Sequence, residues 1–174
     1  MAILAIRLYP DPVLRVRCPE VATGGGIDAG LDRLIGDMIE TMHAAPGVGL
    51  AANQVGVEKR VAVVDLSGGK EPGELHVLVN PRIVAREGTE SETEGCLSLP
   101  GLTDKVDRPA RIRVVALDRR GQPYELAAEA WLARAICHEV DHLDGVLFID
   151  HLRGLRRERM KRQLKRLTME EVPA

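Results

Sequence analysis

Residues 134–145 read RAICHEVDHLDG and place two histidines four positions apart, with a glutamate directly after the first. The surrounding residues, 129–143, are good helix formers with apolar side chains on one broad face, which predicts a largely buried α-helix. Residues four apart on such a helix are offset by only about 40° around its axis. His138 and His142 are therefore expected to project from one face and to hold a single metal ion, with Glu139 beside it.

The alternative for the two histidines is that they are ordinary, partly buried side chains, because the pattern HExxH also arises by chance. Two ionisable residues on an apolar helix cost free energy unless a ligand or a hydrogen-bond partner satisfies them, and this favours a metal site. A catalytic site of this type has three protein ligands and leaves a fourth position for water. No downstream residue is a convincing third ligand, since the position where metzincin proteases have a further histidine is Phe148.

Upstream, the stretch ESETEGCLSLPGL (90–102) contains Cys96 among Gly, Ser and Pro, which predicts a loop-like setting between strands. A thiolate in such a loop could reach a neighbouring helix. A lone cysteine, however, is more often a small apolar filler. The local sequence leaves both roles open.

The rest of the chain predicts helices towards both ends and strands between them. Apolar residues at helical spacing indicate an amphipathic helix over 27–42, ended by Pro46-Gly47, and a basic C-terminal helix is expected over 151–168. Four β-rich runs lie between turn signals: RVAVVDL (60–66), HVLVNPRIVARE (76–87), RIRVVALD (111–118) and PYELAA (123–128). The sequence thus predicts a single α+β domain over 1–174, in which antiparallel β-sheets pack around a central metal-binding helix, with an N-terminal amphipathic helix and a C-terminal helix.

Composition favours a soluble protein of a reducing compartment. Hydrophobic residues make up 45% of the chain and aromatic residues only 2%, so the core must consist of aliphatic side chains. No apolar run approaches the roughly 18 residues needed to cross a bilayer, and the N-terminus lacks the features of a signal peptide. Cys18, Cys96 and Cys137 are an odd number at wide spacing, which argues against a disulfide framework. We expect a cytoplasmic protein with no membrane contact.

The charge of the chain is unevenly distributed. Residues 153–166 contain eight basic side chains and one acid, so this segment carries +7 while the remainder carries -9. Such a run is usually a solvated helix face, and contact with a nucleic acid is the functional alternative.

Three separated motifs resemble those of the peptide deformylase family and follow in the same order. GVGLAANQ (47–54) resembles the family motif GxGLAAxQ, EGCLS (94–98) resembles the second motif, and HEVDH (138–142) resembles HExDH. The resemblance extends over nearly the whole chain, from LYPDPVLR onward.

The resemblance implies that Cys96, His138 and His142 are the metal ligands and that Glu139 is the general acid and base. It implies one divalent ion per chain, natively Fe²⁺, with Zn²⁺, Ni²⁺ or Co²⁺ as possible replacements. Oxyanion donors and substrate-binding residues follow from the same motifs. The implied donors are the Gln54 amide and the Leu97 N–H, and the implied substrate-binding residues are Val48, Gly49, Glu94 and Gly95.

Members of the family remove the formyl group from the N-terminal formyl-methionine of nascent polypeptides and release formate. The implied reaction is an attack of metal-bound water on the formyl carbonyl, with Glu139 as the general base and acid. The implied substrates are formyl-methionyl chains, and the basic segment 153–166 is then expected to contact ribosomal RNA.

Two other functions remain as alternatives, a metalloprotease and a ribosome-associated binding protein with a structural metal. The missing downstream ligand disfavours the protease, and a structural site normally has four protein ligands rather than three. Cys18 and Cys137 lie outside the motif positions and are expected to be structural. The remaining histidines are expected at the surface or at helix ends: His43, His76 and His151.

Overall fold

The computed structural model describes residues 2–24 and 26–170, with side chains as far as Arg166 in the last helix. Within these residues the α-helices are α1 (Ala29–Ala44), α2 (Ala130–Leu143) and α3 (Gly154–Glu170), and short 3-10 helices lie at Pro12–Arg15, Ala52–Val55, Pro72–Glu74 and Phe148–His151. The strands are β1 (Gly49–Ala51), β2 (Val61–Asp65), β3 (Leu75–Glu87), β4 (Glu90–Gly95), β5 (Thr103–Arg108), β6 (Arg111–Leu117) and β7 (Pro123–Glu129).

Five strands form one antiparallel sheet in the order β1-β2-β3-β6-β7, and β4 pairs with β5 in a separate two-stranded ribbon. Side chains alternate along β2, so that Val61 and Val63 pack with α1 whereas Ala62 and Val64 pack with α2. The two helices therefore cover opposite faces of the sheet. Burial on both faces explains the unbroken apolar sequence of β2.

Helix α1 confirms the predicted N-terminal amphipathic helix. It begins where the Asp28 carboxylate accepts a hydrogen bond from the Leu31 backbone N–H at 2.8 Å, which satisfies one of the free donors of the first turn. Its buried apolar side chains are Leu31, Ile35, Met38 and Met42. None of the described helices combines the length and the apolar character needed to cross a membrane.

Helix α2 confirms the predicted central helix and packs against the sheet through one apolar face. That face consists of Ala133, Ile136, Cys137, Val140 and Leu143, which share a cluster with residues of β2, β3, β6 and β7. The opposite face of α2 is turned towards β1 and the β4–β5 ribbon, which places the two histidines between these elements. The predicted α+β fold, with antiparallel sheets around α2, is therefore confirmed.

The four predicted strand runs are confirmed as β2, β3, β6 and β7, whereas β1, β4 and β5 were not predicted. Residues 90–95 were expected to be loop and instead form β4, so that only Cys96 and the turn after it match the expected setting. The ribbon sequences ESETEG and TDKVDR lack apolar alternation because most of their side chains are exposed. A strand whose residues do not alternate between apolar and polar is difficult to recognise in a sequence.

The C-terminal helix begins later than expected, because Phe148–His151 forms a 3-10 helix and α3 starts at Gly154. Met160 and Leu164 anchor α3 in a third apolar cluster. That cluster also contains Leu99, Leu102, Val106, Leu147, Phe148, Ile149 and Leu152. The helix is thus packed beside the β4–β5 ribbon.

Candidate metal centre

The structure brings together the three side chains that were predicted as metal ligands. The Nε2 atoms of His138 and His142 are 3.2 Å apart, and the Cys96 Sγ lies 3.1 Å from the His142 Nε2. All three ligand atoms lie within 4.8 Å of one another. Cys96 reaches α2 from the turn that follows β4, so the ribbon supplies one donor and the helix supplies two.

These donors fit a transition-metal ion chemically. One thiolate sulfur and two imidazole nitrogens form a ligand set that suits Zn²⁺ and other divalent transition metals, and three protein donors leave a coordination position open. Electron-rich atoms this close repel one another unless a proton or a cation lies between them. Burial lowers the pKa of His138, but hydrogen bonds with Cys96 and Glu94 outweigh it and raise the pKa to about 10. A metal ion bound here would compete with protons for these donor atoms.

Glu94 holds His138 from behind the ligand cluster. Its Oε2 lies 3.1 Å from the His138 Nδ1, while Arg108 donates to both carboxylate oxygens at 2.8 and 3.0 Å and Arg134 donates to Oε1 at 2.7 Å. Burial raises the pKa of Glu94, but the hydrogen bonds from His138 and Arg108 outweigh it and lower the pKa to about 2. An ionised carboxylate here fixes the tautomer of His138 that leaves Nε2 free for a metal.

Glu94 was predicted to bind substrate, and its carboxylate is already engaged by neighbouring side chains. All the contacts of that carboxylate described above are to side chains behind His138, and the residue is 5% exposed. Sequence reasoning did not find Arg108 and Arg134, the two arginines that hold this carboxylate. An isolated arginine in a polar strand or an apolar helix gives no sequence signal for a partner that lies far away along the chain.

Glu139 lies beside the ligand cluster, as predicted, with one side-chain oxygen unpaired. The residue is 3% exposed, and its Oε2 has no hydrogen-bond partner among the described residues. Burial, opposed by the charge of His138, raises the pKa of Glu139 to about 7. A carboxyl group with a pKa near neutral pH is suited to accept and return a proton.

Gly49 provides the space in which Glu139 sits. A Cβ atom at this position would lie 2.4 Å from the Glu139 Oε1, closer than any ordinary contact. Gly49 was predicted as a residue that pairs with a peptide substrate. The structure adds that only glycine lets β1 pass this close to the carboxylate.

Gln54 lies in the 3-10 helix Ala52–Val55 and is held by its own neighbours. Its Oε1 accepts a hydrogen bond from the Ala51 N–H at 2.9 Å, and its Nε2 donates to the Ser98 Oγ at 3.2 Å. The same Nε2 is 3.6 Å from the Cys96 Sγ. The amide N–H groups are therefore directed towards the ligand cluster, where a developing oxyanion would need them.

A cavity of about 720 Å³ opens in front of the ligand cluster. Its walls include every predicted catalytic and substrate-binding residue, namely Gln54, Leu97, Glu139, Val48, Gly49, Glu94 and Gly95, together with the ligands Cys96 and His138. Trp131 also lines the cavity and is 55% exposed, although sequence reasoning did not single it out. The predicted site residues thus surround one concave surface.

The other cysteines and histidines lie outside this cavity. Cys18 and Cys137 are buried in the apolar cluster between α2 and the sheet, where burial raises the pKa of each thiol to about 11. His43, in the last turn of α1, lies 2.8 Å from Asp65. His151 ends a 3-10 helix. His76 was expected at the surface or at a helix end and is instead half-buried within β3.

Comparison with protein-family models matches residues 3–158 to the polypeptide deformylase family. The peptide deformylase of Azotobacter vinelandii is 52% identical over 167 residues, covering 95% of this chain and 96% of the relative. That of Alkalilimnicola ehrlichii is 50% identical over 169 residues, covering 96% and 92%.

Solved structures show the same similarity. A crystal structure of a peptide deformylase from Legionella pneumophila has a TM-score of 0.87 and 43% identity, covering 99% of this chain and all of that one. A peptide deformylase from Ehrlichia chaffeensis in complex with actinonin has a TM-score of 0.87 and 37% identity, again covering 99% and 100%.

Proposed function

This chain belongs to the polypeptide deformylase family, and we propose that it removes the N-formyl group from the formyl-methionine that begins nascent polypeptides, with release of formate. The observation that carries the proposal is the meeting of three distant motifs at one cavity. Cys96, His138 and His142 bring their ligand atoms within 4.8 Å of one another, and Glu139 and Gln54 line the same cavity.

A bound divalent ion would polarise the formyl carbonyl and lower the pKa of a water molecule to about 7. Glu139 accepts a proton from the attacking water at its free Oε2 and later gives the proton to the departing amine. The Gln54 amide and the Leu97 N–H donate to the formyl oxygen as it gains negative charge. Each of these groups lines the cavity in which the substrate's N-terminus would lie.

The substrate chain would enter along β1 and the end of β4. Val48, which is 48% exposed at the cavity, offers an apolar contact for the methionine side chain. Gly49 and Gly95 offer backbone groups for strand-like pairing with the peptide. With the Glu94 carboxylate held by His138, Arg108 and Arg134, any substrate contact at position 94 would come from the backbone.

We propose Fe²⁺ as the native ion, with Zn²⁺, Ni²⁺ or Co²⁺ as replacements in purified protein. The thiolate of Cys96 reduces the formal charge of the site to +1, so the identity of the ion is expected to control the rate. Three reduced cysteines in the chain and a thiolate in the ligand set support a cytoplasmic location. Residues 1–174 would act as one catalytic domain.

The decisive test is incubation of anaerobically purified protein, of measured metal content, with formyl-Met-Ala-Ser and with an unformylated peptide. We expect formate and free Met-Ala-Ser from the first peptide and no reaction with the second. Release of formate is measured directly, and peptide products are identified by mass. Cleavage of an internal peptide bond without formate would establish the metalloprotease alternative instead.

We further propose that α3 contacts ribosomal RNA through its exposed basic face. Met160 and Leu164 face the apolar cluster, which leaves Arg159, Arg162 and Arg166 exposed at positions three and four apart. Arg156 is instead bound to Asp104 and to the Lys105 carbonyl, and it anchors the helix. Cations spaced along an outward face are suited to phosphates of a nucleic acid.

Replacing Arg159, Arg162 and Arg166 together with glutamine should weaken ribosome binding and flatten its salt dependence, by about one unit of slope for each phosphate that the variant no longer neutralises. The rate on formyl-Met-Ala-Ser should not change, because these residues lie outside the cavity. The matched control replaces the exposed cations Lys70, Arg82 and Arg86, which removes the same charge elsewhere. Equal weakening of binding in both variants, measured by cosedimentation over a salt series, would show that no specific face is involved.

A further inference from the structure

The two histidines that face the metal position differ in what lies behind them. The His138 Nδ1 is 3.1 Å from the Glu94 carboxylate, whereas the His142 Nδ1 is buried and has no hydrogen-bond partner among the described residues. A neutral imidazole that directs Nε2 to a metal carries its proton on Nδ1. Metal-binding histidines almost always donate that proton to an acceptor, so His142 requires one.

The side chain of Asn53 is fully buried and lies next to His142. Its Nδ2 donates to the His142 carbonyl oxygen at 2.5 Å, and this contact fixes the amide orientation, since two oxygens would repel. Its Oδ1 is then a buried acceptor without a partner among the described residues. Asn53, which has an unpaired acceptor, is thus bonded to His142, whose ring has an unpaired donor.

Asn53 and Gln54 are adjacent in the 3-10 helix Ala52–Val55, where successive side chains diverge by about 120°. Gln54 is directed to Cys96 and Ser98, and Asn53 is directed to α2. One short turn therefore presents two amides to two different metal-ligand residues. The motif GxGLAAxQ leaves the first of these positions open, so Asn53 is a feature of this chain rather than of the motif.

We propose that Asn53 is a positioning residue for His142. Its Nδ2 donates to the His142 carbonyl directly, and its Oδ1 accepts a hydrogen bond from one buried water that in turn accepts from the His142 Nδ1–H. This arrangement fixes both the ring and the tautomer of His142 and leaves Nε2 free for an ion. The inference rests on the metal-dependent function proposed above and deepens it.

The test is a matched pair, Asn53→Thr and Asn53→Val, whose side chains share one shape and differ by a hydroxyl against a methyl group. The threonine hydroxyl both donates and accepts, so it can replace both roles of the amide in part. We expect Asn53→Val to bind Zn²⁺ about 10- to 100-fold more weakly than wild type, and Asn53→Thr to recover most of that loss. The measurements are competition with a chelator and the absorption spectrum of the Co²⁺-substituted protein.

The thermal midpoint of each metal-free variant is measured alongside, because the threonine hydroxyl can also satisfy the buried His142 carbonyl and so change stability without metal. If the valine variant binds metal as tightly as the threonine variant, the positioning role is wrong, whether both resemble wild type or both are weakened. Metal affinity is measured without substrate, so this outcome is separate from the formate-release test. Failure of wild-type protein to release formate would overturn the proposed function and leave the metal comparison standing.

Discussion

Glu139→Ala should lower kcat/KM for formyl-Met-Ala-Ser by about two to four orders of magnitude, the usual contribution of a general acid and base. The three ligand atoms belong to other residues, so the variant should retain its metal and its fold. Activity is measured as formate release, alongside metal content and thermal unfolding. Activity near the wild-type level would contradict the role assigned to Glu139.

The pH dependence of kcat/KM provides a second measurement of the same residue. A general base works as the carboxylate, so activity is present above the pKa of Glu139 and is lost as the pH falls through it. Burial raises that pKa to about 7 in the metal-free protein, and a nearby cation lowers it, so the acid limb should lie below pH 7 in the loaded enzyme. Glu139→Gln, which keeps the shape of the side chain, should lack this limb. If Glu139→Gln keeps the same acid limb, the limb belongs to another group.

Glu94→Gln should lower the free energy of unfolding of the metal-free protein by about 3–5 kcal/mol, because it leaves the buried Arg134 without a carboxylate partner and Arg108 with Asp141 alone. Arg108 and Arg134 donate to the Glu94 carboxylate, and the side chains of all three are 4–5% exposed. The variant should also bind metal more weakly, since the charged acceptor for the His138 Nδ1 is replaced by a neutral amide. Urea unfolding and chelator competition measure the two effects.

A matched control for this prediction is Glu87→Gln at the surface. Glu87 pairs with Arg111 at 3.1 Å, but both side chains are more than 60% exposed, so the loss of stability should be about 1 kcal/mol or less. Equal losses in the two variants would show that the buried network has no special importance for stability.

The pH dependence of stability follows from the lowered pKa of Glu94. A carboxyl group with a folded pKa of about 2 and an ordinary value of 4.5 contributes stability that is present above pH 4.5 and is lost as the pH falls towards 2. The wild-type protein should therefore lose stability through this window. Glu94→Gln should lose less, because its amide does not titrate.

The parts of the fold that could be predicted from the sequence are those in which apolar residues recur in a regular pattern or form a continuous run. The alternating burial of β6 and β7, the buried runs of β2 and of the first half of β3, and the apolar faces of α1 and α2 all appear in the residue pattern. The β4–β5 ribbon was missed because charged and polar side chains occupy most of its positions, and its buried ones include Glu94 and Arg108. Charged residues are usually exposed, so the sequence does not distinguish the members of a buried ion pair from surface residues.

The site, like the fold, was predicted only in part. The residues predicted as ligands, proton-transfer group and oxyanion donors lie in motifs that were recognised as a set, and the structure brings them together at or beside one cavity. The residues that hold them were not predicted, because each acts through a contact across a long stretch of chain. Arg134 reaches Glu94 over 40 residues, and Asn53 reaches His142 over 89 residues.

The separation of the β4–β5 ribbon from the five-stranded sheet has a mechanical consequence. Cys96 directly follows β4 of the ribbon and the two histidines belong to α2, so an ion bound by all three would join two elements that otherwise meet through packing, hydrogen bonds and ion pairs. It would act as a cross-link closing a 42-residue loop between Cys96 and His138, a span whose closure is entropically costly in the unfolded chain. The same ion that enables hydrolysis would then also fix the distance between the two walls of the substrate cavity.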